Sequence, residues 1–117
     1  MGKAFPGSRM AGGMPTVSVK DVAGRGAEVK VIDVREPHEF NGDLGHIAGA
    51  TLVPLSGWPA AAASVDLKGP VVCVCRSGGR SMRAAAELLR VAPNAEVYNM
   101  DGGMMAWSAA GLPVERG

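Results

Sequence analysis

Cys75 is the residue of this chain whose surroundings best fit a chemical role. It follows the apolar run Val71–Val74 and opens a segment, 75–81, that is rich in glycine and arginine and leads into a helical pattern. The N-terminus of a helix presents unpaired N–H groups and the positive end of the helix dipole to the loop before it. A thiolate in that position is stabilised, so we expect the pKa of Cys75 to be lowered and its sulfur to be nucleophilic.

The rest of the segment suits an anion. Gly78 and Gly79 allow backbone angles that turn successive N–H groups toward one point. Arg76 and Arg80 place positive charge where the helix dipole disfavours it, which favours anion binding over a purely structural role. The serines can donate hydroxyl hydrogen bonds to sulfur or oxygen or cap the helix, and capping is favoured for Ser81. The predicted substrate-binding residues are Arg76, Ser77, Gly78, Gly79, Arg80 and Ser81.

Strands and helices alternate around this segment. Apolar side chains on both faces of the run 29–34 are typical of an interior strand of a parallel sheet. Strand–helix alternation implies right-handed crossovers and helices on both faces of the sheet. The sequence predicts strands at 16–17, 29–34, 51–54, 71–74 and 95–98, and helices after Ser18, from Pro37, after Pro59, over 79–91 with an apolar stripe of Met82, Ala85, Ala86 and Leu89, and around 104–107.

Three motifs resemble those of the rhodanese-like sulfurtransferases, and they occur along the chain in the same order as in that family. They are the segment 75–81, the stretch Asp33-Val34-Arg35-Glu36-Pro37 followed by Gly45-His46-Ile47-Ala48-Gly49-Ala50, and Asp101-Gly102-Gly103 with Trp107, Gly111, Leu112 and Pro113. The resemblance implies a three-layer α/β sandwich with a mostly parallel sheet of about five strands. It also implies a persulfide on Cys75, an arginine at position 80 that closes the loop, and a supporting shell containing Asp33 and Arg35, for which a structural salt bridge is favoured over direct chemistry.

The chemistry implied is a two-step sulfur transfer. The donor is a small sulfur-containing anion such as thiosulfate, and the acceptor is cyanide, a small thiol or a carrier protein. No organic cofactor is needed, and no metal is expected because the residue spacings of zinc sites are absent. Cys73 is interpreted as a core residue, with the alternative that it resolves the persulfide as a disulfide.

Two other functions fit parts of the pattern. A cysteine, a loop and an arginine also form the oxyanion cradle of phosphatases and arsenate reductases. Four residues separate Cys75 from Arg80, whereas the loop typical of those enzymes is one residue longer. In addition, no aspartate is evidently placed as a general acid. The third possibility is a non-catalytic module that presents or senses a modified thiol.

Length and composition bear on the domain organisation, the partners and the localisation of the protein. The 117 residues fit one domain, predicted over 15–117 after a flexible tail at 1–14 that is rich in glycine. A net charge of +1 excludes a globally basic nucleic-acid binder, so no direct nucleic-acid partner is expected. Without an apolar run of about 18 residues or a secretory signal, and with two cysteines badly placed for a disulfide, we expect a cytoplasmic protein with no membrane partner.

Overall fold

Six strands and four α-helices alternate along residues 8–116, the part of the chain that the computed structural model describes. The strands are β1 (Arg9–Ala11), β2 (Met14–Val17), β3 (Lys30–Asp33), β4 (Thr51–Leu52), β5 (Val71–Val74) and β6 (Val97–Met100). The α-helices are α1 (Val19–Arg25), α2 (Pro37–Phe40), α3 (Gly79–Val91) and α4 (Gly103–Ala109), and short 3₁₀ helices cover Gly26–Glu28, Leu55–Gly57 and Ala60–Ser64.

The six strands form one sheet in the order β1-β2-β6-β5-β3-β4. Every neighbouring pair is parallel except β1 and β2, which are antiparallel. The predicted α/β fold with a mostly parallel sheet is therefore confirmed, with six strands where about five were expected. Because β5 lies between β6 and β3, the residues that follow these three strands meet at one edge of the sheet, where ligands bind in open α/β folds.

The sixth strand comes from residues that the sequence assigned to a flexible tail. Residues 1–7 lie outside the described part of the chain, but β1 pairs with β2 in a hairpin whose turn is Gly12 and Gly13, both at positive φ. The Arg9 guanidinium also lies 2.7 Å from the Asp101 carboxylate. The prediction of a tail is wrong for residues 9–14, because Gly12 and Gly13 form the tight turn of a hairpin.

Successive residues of β5 contact opposite layers of helices. Val72 and Val74 belong to a core cluster with residues of α1 and α4, including Trp107. Val71, Cys73 and Cys75 belong to a second cluster with residues of α3, on the other face. This alternation is the two-residue period of a strand, and it places both cysteines on the face that α3 covers.

The predicted elements and the structure differ at a few boundaries. α1 begins at a capping box in which Ser18 and Asp21 bond to each other's backbone N–H groups, and α3 spans the predicted residues. Ala86, expected in the apolar stripe of α3, is exposed. The last strand is displaced by two residues, because Val71 pairs with Val97. That displacement brings Asn99 into the sheet beside the site.

Candidate active site

Cys75 is the first residue after β5, and its side chain is almost completely enclosed. The residue is 1% exposed. Its Sγ accepts a hydrogen bond from the Gly78 N–H at 3.1 Å and lies 3.3 Å from the Ser81 hydroxyl. The sulfur therefore lies at the N-terminus of α3, with a backbone donor and a side-chain donor directed at it.

Glycine backbone angles shape the loop around this sulfur. Gly78 is the N-cap of α3 and has a φ of 108°, which side chains other than hydrogen rarely allow. This conformation turns its N–H toward Sγ three residues back in the chain. The segment predicted from two glycines and a following helix is thus present, with Gly78 as the residue that closes the turn.

The N-terminus of α4 holds the other side of the loop. The N–H groups of Met104 and Met105 donate to the carbonyl oxygens of Cys75 and Arg76 at 2.8 and 2.9 Å. A Cβ atom on Gly103 would overlap both of those carbonyl oxygens. The absence of a side chain at Gly103 therefore allows α4 to approach the loop backbone closely.

The pKa values of the two cysteines are shifted in opposite directions. Burial raises the pKa of Cys75, but hydrogen bonds from the Ser81 hydroxyl and from the N–H groups of Ser81, Gly78 and Ser77 outweigh it, so the pKa is lowered. Burial raises the pKa of Cys73 to about 12, with a smaller contribution from the nearby Cys75 charge. Cys73 is free and inaccessible inside β5, which disfavours the thiolate that a persulfide-resolving role would need.

Arg80 lies beside the site in a two-pronged ion pair with Glu39 of α2. Its two terminal nitrogens each lie 2.8 Å from a Glu39 carboxylate oxygen. The bond from Arg80 lowers the pKa of Glu39 to about 2, and the same bond raises the pKa of Arg80. The sequence favoured anion binding by Arg80 over pairing with a carboxylate. The structure shows the pairing, and a role of Arg80 in substrate binding stays a prediction. Arg76, by contrast, is exposed.

Asp33 and Arg35 form a buried ion pair, as the favoured interpretation of the sequence expected. Both side chains are 1% exposed, and the closest nitrogen–oxygen distance is 2.8 Å. The Arg35 guanidinium also donates to the carbonyl oxygens of Glu39 at 3.1 Å and Gly45 at 2.7 Å. The pair thereby ties the end of β3 to α2, whose Glu39 side chain reaches Arg80, and its role as a supporting shell stays a prediction.

Ser81 does not cap α3, which corrects the favoured interpretation. The N-cap is Gly78, which has no side chain that could bond to the N–H groups of the first turn. Ser81 is instead a buried residue of the first turn whose hydroxyl lies against Cys75 Sγ, the Gly78 carbonyl oxygen and the side-chain oxygen of Asn99. Ser77 and Gly79 lie on the exposed side of the loop.

Sequence reasoning missed three contributors to the site: Glu39, Asn99 and the N-terminus of α4. Asn99 carries a signal that could have been used, because it is a polar residue in the otherwise apolar stretch Val97–Met100. Glu39 lies four residues after Arg35, and nothing in its spacing indicates a partner 41 residues away.

Two open clefts flank the Glu39–Arg80 pair. The first, of about 340 Å³, is lined by Leu55, Trp58 and Arg80 among others. The second, of about 320 Å³, is lined by Glu39 and Arg76 among others.

Among residues 8–116, none of the helices has both the length and the apolar character that a membrane-spanning segment needs.

Comparison with known proteins agrees with this architecture. The family model for the rhodanese-like domain matches residues 18–110. Thiosulfate sulfurtransferase GlpE of Stutzerimonas stutzeri is 36% identical over 83 residues, covering 71% of this chain and 73% of that protein. A sulfurtransferase of Allochromatium vinosum is 34% identical, covering 74% and 78% of the two chains.

Solved structures of similar fold extend the comparison. A rhodanese-related protein from Thermoplasma volcanium superimposes with a TM-score of 0.76 at 24% identity, over 84% of this chain and 94% of that one. A rhodanese-like domain protein from Staphylococcus aureus gives 0.69 at 27% identity, over 86% and 97%. The family model matches most of the chain, and two relatives that are 34 to 36% identical are matched over more than two thirds of their length. The chain therefore belongs to the rhodanese-like domain family.

Proposed function

We propose that this protein is a sulfurtransferase that carries sulfur as a persulfide on Cys75. The observation that carries the proposal is the setting of Cys75 Sγ, which faces the Gly78 N–H and the Ser81 hydroxyl at the N-terminus of α3. These donors stabilise negative charge on sulfur without a separate base. Relatives named as sulfurtransferases, at 34 to 36% identity, support the same chemistry.

In the first step, the Cys75 thiolate attacks the outer sulfur of a donor such as thiosulfate. A new S–S bond forms to Sγ, the S–S bond inside thiosulfate breaks, and sulfite leaves with the electron pair of that bond. The product is a Cys75 persulfide anion, whose charge lies on the outer sulfur. A thiophilic acceptor then attacks the outer sulfur and restores the thiolate, which completes a two-step cycle.

The charges around the loop fit a small anionic donor. Arg76 is exposed at the loop and lines the cleft beside Glu39, so its guanidinium is available to an approaching anion. Arg80 is neutralised by Glu39 and is better placed to fix the loop than to bind substrate alone. The clefts on both sides of this pair leave room for a small thiol or the cysteine of a carrier protein as acceptor.

Hydrolysis of an oxyanion ester, the alternative enzyme class, is less well supported. A phosphatase-type cradle uses its arginine to hold the oxyanion, whereas both terminal nitrogens of Arg80 bond to Glu39. The purely binding role is also less well supported, because a lowered pKa at Cys75 prepares the sulfur for nucleophilic attack.

The direct test is intact-protein mass spectrometry after incubation with thiosulfate and again after cyanide. We expect the native protein to gain about 32 Da, the mass of one sulfur atom in the covalent intermediate, and to lose it with cyanide. Cys75→Ser should show no gain. Cys73→Ala, which removes the other thiol on the same strand, is the matched control and should gain sulfur normally.

Two results would contradict the proposal. One is no mass gain in native protein whose Cys75 is shown to be reduced and reactive toward an alkylating reagent. The other is a gain that persists in Cys75→Ser and disappears in Cys73→Ala.

A further inference from the structure

Asn99 is a buried polar residue on β6 whose side chain reaches into the active-site loop. It is 2% exposed. Its Nδ2 donates to the Gly78 carbonyl oxygen at 3.1 Å, and its Oδ1 accepts from the Ser81 hydroxyl. Asn99 therefore bonds to two of the residues that donate hydrogen bonds to Cys75 Sγ, namely Gly78 and Ser81.

The number of protons on Ser81 makes this arrangement a competition. A serine hydroxyl has one proton, and three acceptors surround it: Cys75 Sγ, the Gly78 carbonyl oxygen and Asn99 Oδ1. The Gly78 carbonyl oxygen already accepts from Asn99 Nδ2, which fixes the orientation of the amide, and from the Met82 N–H, so both of its lone pairs are used. The Ser81 proton must therefore divide between Asn99 Oδ1 and the sulfur.

We propose that Asn99 is a positioning residue that competes with Cys75 for the Ser81 hydroxyl proton. When Cys75 is a thiol, its S–H donates to Ser81 Oγ, and Ser81 donates to Asn99. When Cys75 is a thiolate, the Ser81 hydroxyl turns to the sulfur, and Asn99 Oδ1 loses its donor. Asn99 thus limits how strongly Ser81 stabilises the thiolate.

This competition has a use in sulfur transfer, and in that respect it rests on the proposed function. A thiolate that is stabilised too strongly is a poor nucleophile, because nucleophilicity falls as the pKa falls. In the persulfide the negative charge lies on the outer sulfur, so the Ser81 proton can return to Asn99. The hydroxyl then alternates between its two acceptors as Cys75 loses and regains its charge.

The test must separate Asn99 from the other groups that influence Cys75. Cys73 on β5 is replaced by alanine in every variant, so its thiol contributes to none of them. The substitutions of Asn99 and Ser81 leave in place the charged groups near the site: Asp33 and Arg35 at the end of β3, Glu39 on α2, Arg76 in the loop and Arg80 on α3.

The experiment is a double-mutant cycle on the ionisation of Cys75, measured as the pH dependence of its alkylation by iodoacetamide in a Cys73→Ala background. The ultraviolet absorbance of the thiolate gives a second measurement that needs no reagent access. Asn99→Leu removes the competing acceptor at similar volume, and we expect the midpoint to fall by about one pH unit, the worth of a hydrogen bond to a charged group. In Ser81→Ala, adding Asn99→Leu should leave the midpoint unchanged.

Controls keep the result specific to Asn99. Thr16 of β2 pairs in register with Asn99 of β6 and is 1% exposed. Its hydroxyl donates a hydrogen bond to the Met14 carbonyl oxygen. Thr16→Val, which alters a buried polar residue away from the loop, should leave the midpoint unchanged. If Asn99→Leu does not fold, as judged by circular dichroism, Asn99→Ala removes the same two polar groups and carries the same expectation.

The proposal is overturned if the midpoint stays the same or rises on removal of the Asn99 amide, or if it falls equally with and without Ser81. Neither measurement needs sulfur transfer, so a failure here is distinct from a failure of native protein to gain sulfur from thiosulfate.

Discussion

The interior of β5 and the loop that follows it place two cysteines in opposite chemical states. Cys73 and Cys75 lie two residues apart, point to the same face of the sheet and are 0% and 1% exposed. Burial raises the pKa of both thiols, yet the pKa of Cys73 ends near 12 and that of Cys75 ends below its ordinary value. Exposure therefore does not distinguish them.

Backbone geometry makes the difference. Inside β5 the N–H groups are used by the neighbouring strands, so none is available to the Cys73 sulfur. At Cys75, one residue past the strand, the N–H of Gly78 turns back to the sulfur, and the first turn of α3 adds the Ser81 hydroxyl. A reactive thiol here is a property of the place where the sheet ends and a helix begins.

The largest expected effect is a difference in labelling between the two thiols. At about pH 7, a pKa of about 12 leaves roughly one Cys73 in 10⁵ ionised, whereas a far larger fraction of Cys75 is thiolate. Iodoacetamide should therefore add one label to the native protein, at Cys75, and none to native Cys75→Ser.

Denaturant provides the control for that labelling. It should expose Cys73 and allow a second label, because burial is what holds its pKa up. Rapid labelling of both cysteines in the native protein would contradict the burial and the raised pKa of Cys73.

Gly103→Ala should reduce the difference in reactivity between Cys75 and Cys73 by disturbing the loop around Cys75. Gly103 has a φ of 57°, and an added Cβ would overlap the carbonyl oxygens of Cys75 and Arg76, which as backbone atoms cannot easily move. We expect the free energy of unfolding to fall by about 2–4 kcal/mol. Alkylation of Cys75 should also slow, because the loop that directs N–H groups at the sulfur is displaced.

Gly111→Ala is the matched control for that substitution. Gly111 also has a positive φ, 72°, but nothing lies within 4 Å of an added Cβ. It should lose about 1–2 kcal/mol from backbone strain alone and keep the alkylation rate of Cys75. Equal slowing in both variants would mean that contact with the loop is not the cause.

The loop and its flanking elements were predictable because their signals are local. The apolar run Val71–Val74, the glycines and the amphipathic pattern of α3 all lie within about twenty residues, and the structure reproduces β5 and α3 at the predicted bounds. The salt bridge of Asp33 and Arg35 is local too, since the two residues are neighbours along one face of the end of β3.

What escaped prediction depends on contacts distant in sequence. Glu39 meets Arg80 only because α2 and α3 converge at one edge of the sheet, and Asn99 meets Ser81 only because β6 lies beside β5 in a particular register. The error at β6 shows the cost of a two-residue displacement, since the strand predicted at 95–98 excludes Asn99. Pairing between strands, which fixes that register, has no counterpart in single-sequence periodicity.

The smallest expected effect concerns the Glu39–Arg80 pair, which belongs to the loop and has no counterpart around Cys73. The pKa of Glu39 falls from 4.5 to about 2 on folding, so its contribution to stability is fully present above about pH 4.5 and is lost as the pH falls toward 2. Glu39→Gln should therefore lower the free energy of unfolding by about 1–2 kcal/mol near neutral pH, a range reduced for the partial exposure of Arg80. Urea denaturation at a series of pH values should show the difference from the native protein shrinking below pH 4.5.

Glu87→Gln tests whether any carboxylate on this face would behave alike. Glu87 pairs with Arg90, whose side chain is 66% exposed, so its removal should cost at most about 0.5 kcal/mol. A Glu39→Gln variant that matches this control, or whose deficit stays constant through acid pH, would show that the ion pair does not anchor the loop. In that case, the acidity of Cys75 would depend on its backbone donors and on Ser81 alone.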